Sequence, residues 1–305
     1  MSKMTRRHCL TWGGLALADP TFAGPAAALR GENLPAALTA LEKRSGGRLG
    51  VAVLDTGSAA LAGHRTDERF GLCSTFKLLL AAAVLQRIDR GQLAADHWIA
   101  YSQADLVPHA PVTQPRLGQG GMPALELAEA AQVTSDNVAA NLLLRLFGGP
   151  AGFTGWLRRE GDALTRIDRW EPEMSRVPPG DPRDTSTPAQ LCATLRHVLV
   201  GDALAEGSRK RLIVWMEATR TGQRRLRAGL PRDWRAGDKT GTGMHPGMPD
   251  RLNDLAIAWP PGRAPWLVAA FYEGPERDSP KIRPRDEAVL AEVGRLVGRW
   301  LRQAA

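Results

Sequence analysis

Phe70-Gly-Leu-Cys-Ser-Thr-Phe-Lys-Leu-Leu-Leu-Ala-Ala-Ala-Val-Leu-Gln-Arg-Ile88 sets a short polar turn in front of a long apolar run. From Leu78 to Leu85 every residue is Leu, Ala or Val, which reads as a buried helix that Gly91 stops. Lys77 stands at its mouth, three residues after Ser74. Burying an ammonium is costly unless it is paired or neutralised. Positions i and i+3 share a helix face, so the spacing predicts Ser74 Oγ and Lys77 Nζ within hydrogen-bond reach. Free N–H groups and partial positive charge gather at a helix start, which favours an oxyanion and loosens the proton on a nearby lysine. A serine is a poor nucleophile until a base takes its proton, and a partly desolvated lysine can be that base. A capping serine beside a solvated lysine would explain Ser74 and Lys77 as well, so the rest of the chain decides.

Upstream, Leu34 to Glu42 has helical spacing, and Leu49 to Leu54 and Leu61 to Arg65 read as strands separated by the Asp55-Thr-Gly57 turn. Downstream, helices are predicted over Met122 to Gln132, Asn137 to Phe147, Phe153 to Glu160, Pro188 to Val200 and Glu206 to Thr219. Ile167 to Pro188 differs: it is polar, aperiodic and carries five prolines, the character of a functional loop. Strands return over Trp234 to Thr242, Asp254 to Trp259 and Trp266 to Tyr272, before a closing helix from Asp286 to Trp300. Strands at both ends and helices between them predict an α/β (α+β) fold. Residues 31–72 and 220–305 would build a sheet domain with flanking terminal helices, and 73–219 an all-helical domain that includes loop 167–188. A cleft is expected where the two meet.

Composition narrows the function. The chain has 305 residues, 43% hydrophobic and 24% charged, with a net charge of +8. The basic residues are scattered, and pairs such as Arg158-Arg159 and Arg224-Arg225 are short. This is a solvated basic surface that suits small anions, not a nucleic-acid stripe. Three cysteines and six dispersed histidines match no zinc or disulfide pattern, so no metal and no cofactor is expected. No apolar run is long enough to span a membrane. The first thirty residues read as an export address: Thr5-Arg6-Arg7, a mildly apolar stretch from Cys9 to Ala18 that Asp19 cuts short, then small residues from Ala23 to Ala28. The paired arginines resemble a twin-arginine signal and imply a periplasmic or secreted protein. Cys73 and Cys192 then remain as buried free thiols. With no seam for a partner, a monomer is expected.

Two further segments complete the constellation. Ser135-Asp136-Asn137 lies between two helices, and Lys239-Thr240-Gly241-Thr242-Gly243 ends a strand. Each alone is an ordinary cap or turn. In the order Ser74-x-x-Lys77, Ser135-Asp136-Asn137, Lys239-Thr240-Gly241, they form the trio known from class A β-lactamases and penicillin-binding proteins. Asp168-Arg169-Trp170-Glu171-Pro172-Glu173 resembles the Ω-loop signature of class A enzymes, and Arg183-Asp184-Thr185 its exit. Tyr101-Ser102-Gln103 through His109-Ala110-Pro111-Val112 fits the segment above the cleft. On these residues the chain is identified as a class A serine β-lactamase, with the β-lactamase/transpeptidase-like fold.

The resemblance implies a role for each position. Ser74 is the acylated nucleophile, and Lys77 and Glu171 handle its proton. Backbone N–H groups of Ser74 and Thr242 form the oxyanion hole. Ser135 relays a proton to the leaving nitrogen, and Asn137 holds the side-chain amide of the substrate. Lys239, Thr240, Gly241 and Thr242 line the carboxylate pocket. Glu171 activates the water that releases the acyl group, and Arg169 with Asp184 pins the loop. Penicillin-binding DD-peptidases and β-lactam sensor modules share the trio but lack efficient deacylation, so Glu171 separates them.

Departures from the family pattern carry their own expectations. Ser175 stands where the family usually has an asparagine that helps hold the hydrolytic water, so deacylation is expected to differ. Leu252 cannot supply the arginine that members place beside the carboxylate pocket; Arg225 matches the helical alternative. Cys73 faces Gly243 where some carbapenem-hydrolysing members have a bridging cysteine, so no dedicated carbapenemase is expected. His109 takes the place of a rim aromatic, either stacking on substrate or standing solvated.

Overall fold

The computed structural model describes residues 33–277 and 279–303. The export address over residues 1–30 lies outside them. In chain order the elements are α1 (Leu34–Ser45), β1 (Arg48–Asp55), β2 (Leu61–His64), β3 (Phe70–Gly71), α2 (Phe76–Asp89), β4 (Trp98–Ala100), β5 (Gly121–Pro123), α3 (Ala124–Val133), α4 (Asn137–Leu146), α5 (Gly149–Arg159), β6 (Thr185–Ser186), α6 (Pro188–Leu199), α7 (Glu206–Glu217), α8 (Leu226–Gly229), β7 (Arg235–Gly243), β8 (Pro249–Trp259), β9 (Trp266–Arg277) and α9 (Pro284–Gln303).

Five strands form one antiparallel sheet in the order β2-β1-β9-β8-β7. The two ends of the chain meet in it, with Val51 opposite Ala270. Side chains alternate between faces. Val51, Val53, Val268 and Ala270 pack under α1 and α9, against Leu34, Leu38, Leu290 and Val293. Ala52, Leu54, Leu267 and Ala269 face the helices of the middle segment. Each such buried Leu or Val stabilises the fold by roughly 1.5–3 kcal/mol. Because both faces are covered, β1 reads as a nearly continuous apolar run and not as an alternating one.

Helix α2 is the centre of the helical part. Every residue from Phe76 to Gln86 is buried, among α3, α4, α6 and α7. Several boundaries differ from the expectations for physical reasons. The helix expected from Met122 starts at Ala124, because Gly121–Pro123 pairs with β4 and Pro123 stands at the cap. Gly148, at φ 82°, closes α4 but also opens α5, four residues before the expected start at Phe153. Strand β8 begins at Pro249, not Asp254, since its first half buries Asp250, Arg251 and Asn253, whose polarity hides the strand. Loop 167–188 holds a 3-10 turn at Glu173–Ser175, and its exit forms β6, which pairs with β3 through Phe70–Ser186 and Gly71–Thr185. That pairing stitches the loop to the strand that runs into Ser74.

Candidate active site

Ser74 lies in a 3-10 turn, Cys73–Thr75, just ahead of the α-helix proper. Cys73 takes a left-handed φ of 48°, and the Thr75 hydroxyl donates to the Leu72 carbonyl at 2.8 Å. The turn redirects Ser74. Its Oγ donates to Glu171 Oε1 at 3.0 Å, and the same oxygen stands 3.0 Å from Lys77 Nζ. The expected direct Ser74–Lys77 hydrogen bond is therefore replaced: the two meet through Glu171. Lys77 has no solvent exposure and also donates to the Ser135 carbonyl at 2.8 Å and to Asn137 Oδ1. Burial pulls its pKa below the ordinary lysine value, and the Glu171 charge opposes the pull.

Ser135, at φ 61°, joins α3 to α4. Asp136 caps α4 through Ala139 N at 2.9 Å and accepts from Val112 N and Thr113 N at 3.0 and 2.9 Å. One buried carboxylate thus ties the segment above the cleft to the turn. Asn137 reaches back to the Pro108 carbonyl at 2.8 Å. His109 is exposed at the rim, and its ring nitrogen meets the Thr134 carbonyl at 3.0 Å.

The opposite wall is the edge strand β7. Lys239 Nζ donates to Ser135 Oγ at 3.1 Å and to the Thr240 carbonyl at 2.8 Å. Burial lowers its pKa well below that of an ordinary lysine, and the charge of Lys77 adds to the effect. Gly241 is required here: a Cβ would lie 2.7 Å from the Leu72 carbonyl oxygen, so the strand could not approach the Ser74 turn. A Cβ on Gly243 would lie 2.9 Å from Cys73 Sγ. Cys73 is a free buried thiol, with burial pushing its pKa up to about 12; Cys192 is likewise free and buried. Arg225, 1% exposed, donates to the Gly241 carbonyl at 2.8 Å, the Asn253 carbonyl at 2.9 Å and Thr242 Oγ1 at 2.7 Å. Leu252 packs instead into the core under α1 and α9.

The loop delivers Glu171. At its neck Arg169 Nε meets Asp184 Oδ2 at 2.5 Å. Asp184 Oδ1 accepts from the backbone N–H groups of Asp168 and Arg169. Burial raises the Asp184 pKa against these hydrogen bonds. Ser175 Oγ comes no closer than 3.5 Å to Glu171 Oε2, a weak contact. Asn141 belongs to none of the sequence motifs. It clasps the Glu171 backbone on both sides, Oδ1 accepting from Glu171 N at 3.0 Å and Nδ2 donating to its carbonyl at 2.9 Å. Its one sequence signal is an amide inside the otherwise apolar run of α4.

Ser74, Ser135, Asn137, Glu171, Thr240 and Thr242 stand in the wall of one cavity of about 570 Å³, and the fully buried Lys77 and Lys239 lie behind it. Among the described residues no group of His, Cys, Asp or Glu stands ready to hold a metal. Fold and cleft together define an active-serine protein of the β-lactamase and penicillin-binding class. Comparison with known sequences narrows the class. The profile of the beta-lactamase enzyme family matches residues 33–301. The β-lactamase AST-1 of Nocardia asteroides is 46% identical over 282 residues, 92% of this chain and 83% of that protein. The β-lactamase L2 of Stenotrophomonas maltophilia is 42% identical over 311 residues, 98% of this chain and 99% of that one. The structure of an ancestral class A β-lactamase superposes with a TM-score of 0.81 at 55% identity, covering 87% of this chain and 98% of the other. The chain belongs to the class A β-lactamases, serine hydrolases that open the β-lactam ring and give resistance to the antibiotic.

Proposed function

We propose that Ser74 attacks the lactam carbonyl and that Glu171 both shares its proton with Lys77 and later activates the hydrolytic water. The observation that carries this reading is the single Glu171 oxygen standing 3.0 Å from both Ser74 Oγ and Lys77 Nζ. A general base must lie within hydrogen-bond reach of the proton it takes, and this one does. Backbone N–H groups of Ser74 and Thr242 stabilise the oxyanion. Ser135, between Lys77 and Lys239, passes a proton to the departing nitrogen. Asn137 holds the substrate amide. Lys239, Thr240, Thr242 and Arg225 bind its carboxylate, with Gly241 giving the strand its close approach and His109 at the rim. Arg169 and Asp184 hold the loop in place.

The experiment follows ring opening of a penicillin and a chromogenic cephalosporin past one equivalent. Sustained turnover is expected from the wild type. Glu171→Gln should stall as a covalent adduct on Ser74, detected by mass spectrometry. A wild-type burst of one equivalent followed by silence would overturn the reading in favour of a sensor or DD-peptidase.

Class A β-lactamases are generally exported, and no helix among the described residues is long and apolar enough to cross a membrane. We propose that residues 1–30 direct twin-arginine export to the periplasm or beyond, and that the mature protein is a monomer. We also propose that it is organised as a sheet part, 31–72 with 220–305, and a helical part, 73–219.

A further inference from the structure

A second cavity of about 420 Å³, which shares no lining residue with the cleft, lies between residues 177–182 and Arg48, Arg251 and Glu273 of the sheet. Arg251 of β8 stands in its wall, with 2% exposure. Its Nη2 donates to the Val177 carbonyl at 2.5 Å, and its Nε to Glu273 Oε1 of β9 at 3.0 Å. Glu273 Oε2 accepts from Arg48 of β1 at 3.1 Å. A charge-assisted chain therefore runs from the loop backbone across three strands of the sheet. Its stem passes Gly71, where a Cβ would lie 3.3 Å from Arg251 Cδ and 3.2 Å from a Val177 methyl.

The register places this contact near the chemistry. Arg251 pairs with Gly243 across the β7–β8 hairpin, and a Cβ on Gly243 would lie 3.0 Å from the Ser175 carbonyl oxygen. One end of the hairpin thus supports the loop at both Ser175 and Val177, just after Glu171. The neck pair Arg169–Asp184 and the Asn141 clasp hold the loop before and at Glu171. Beyond it the Ser175 side chain offers a 3.5 Å contact to Glu171 Oε2 and one of 3.6 Å to Met174 Sδ.

We infer that Arg251 is a positioning residue for deacylation: by holding the Val177 carbonyl it fixes the segment that follows Glu171, and so the aim of the Glu171 carboxylate at the hydrolytic water. This rests on the deacylating role proposed for Glu171. The carboxylate must be aimed twice, first at Ser74 and then at the water on the acyl-enzyme. The hydrogen bond to Ser74 Oγ supports only the first.

Arg251→Met removes the bond to Val177 and leaves Glu273 paired with Arg48. With a penicillin, kcat and KM are expected to fall together by about tenfold to a hundredfold, the scale of a misplacement of about 1 Å. Their ratio should stay within about twofold, because acylation is untouched. Acyl-enzyme should dominate the steady state by mass spectrometry. Arg251→Lys, a single donor on a different geometry, should fall between. A drop in kcat at constant KM, matched by fewer titratable serines, would mark a merely structural residue and overturn the inference, as would unchanged deacylation. Should Arg251→Met fail to fold, Arg251→Lys decides: slowed deacylation at full serine titration supports the inference, and wild-type deacylation sinks it. A wild type that acylates once and stops would sink the role of Glu171 and this inference with it, whereas variant data on an active wild type bear on Arg251 alone.

Discussion

Helix α2 beneath the cleft and loop 167–188 beside it each deliver a group proposed to be catalytic, yet they are held by different forces. Helix α2 is buried from Phe76 to Gln86, so the backbone that carries Lys77, with the Ser74 turn just ahead of it, is held by many dispersion contacts, each weak and none decisive. Apart from the β3–β6 pairing at its exit, the loop is held by a few directional bonds: Arg166 and Arg169 to Asp168 and Asp184, Asn141 to the Glu171 backbone, Arg251 to Val177. Dense packing averages over its defects; a handful of charge-assisted hydrogen bonds does not. The half of the site proposed to acylate is therefore expected to tolerate single changes, and the half proposed to deacylate to be sensitive to them.

The sharpest way to break this contrast is a matched pair of substitutions. Asp184→Ala strands Arg169 and two backbone N–H groups, and breaking a buried pair costs about 3–5 kcal/mol. The lower end is expected, because the Arg169 side chain is 22% exposed. Leu79→Ala, fully buried in α2, costs about 2–5 kcal/mol through lost burial and a cavity. Thermal unfolding should show comparable losses. Per titrated serine, however, Asp184→Ala should lose deacylation while Leu79→Ala keeps its kcat. Equal kcat losses in the folded fractions would end the distinction.

A second, smaller effect sharpens it on the far wall. The protonated form of Lys239 is the one that attracts a carboxylate, and burial favours the neutral form. As pH rises the cation is therefore lost earlier than from an ordinary lysine, whose value is 10.5. The alkaline limb of kcat/KM should fall below that value, with KM rising first. Lys239→Arg, which stays charged, should carry the limb upward. An unmoved limb would assign it to another group. The smallest effect belongs to Ser175→Asn. A longer amide should reach the Glu171 carboxylate that Ser175 meets only at 3.5 Å, speeding deacylation by less than about tenfold. Unchanged acyl-enzyme lifetimes on every substrate would show that Ser175 has no part in holding the water.

The comparison also explains what could be read from the sequence. Ser74, Lys77, Ser135, Asn137 and Lys239 were legible because their order along the chain is distinctive, and the apolar run of α2 because its composition is. The direct Ser74–Lys77 bond was not, since spacing says nothing of a 3-10 turn at Cys73–Thr75 that turns Ser74 toward Glu171. Asn141 and Arg251 escaped for a shared reason. A polar side chain that serves a distant backbone group has no local pattern; its partner lies 30 residues away for Asn141 and 74 for Arg251. The first half of β8 was hidden likewise, because its buried charges find their partners on other strands and loops.

Arg225 gives the cleft one last property. Its guanidinium is fastened to carbonyls of two strands and to Thr242 before any substrate arrives. A free arginine side chain carries about 2 kcal/mol of rotamer entropy, and here that freedom is already lost when the chain folds. An anion that reaches this wall meets a charge that has no searching left to do, so the entropic cost of ordering it falls on folding and not on binding.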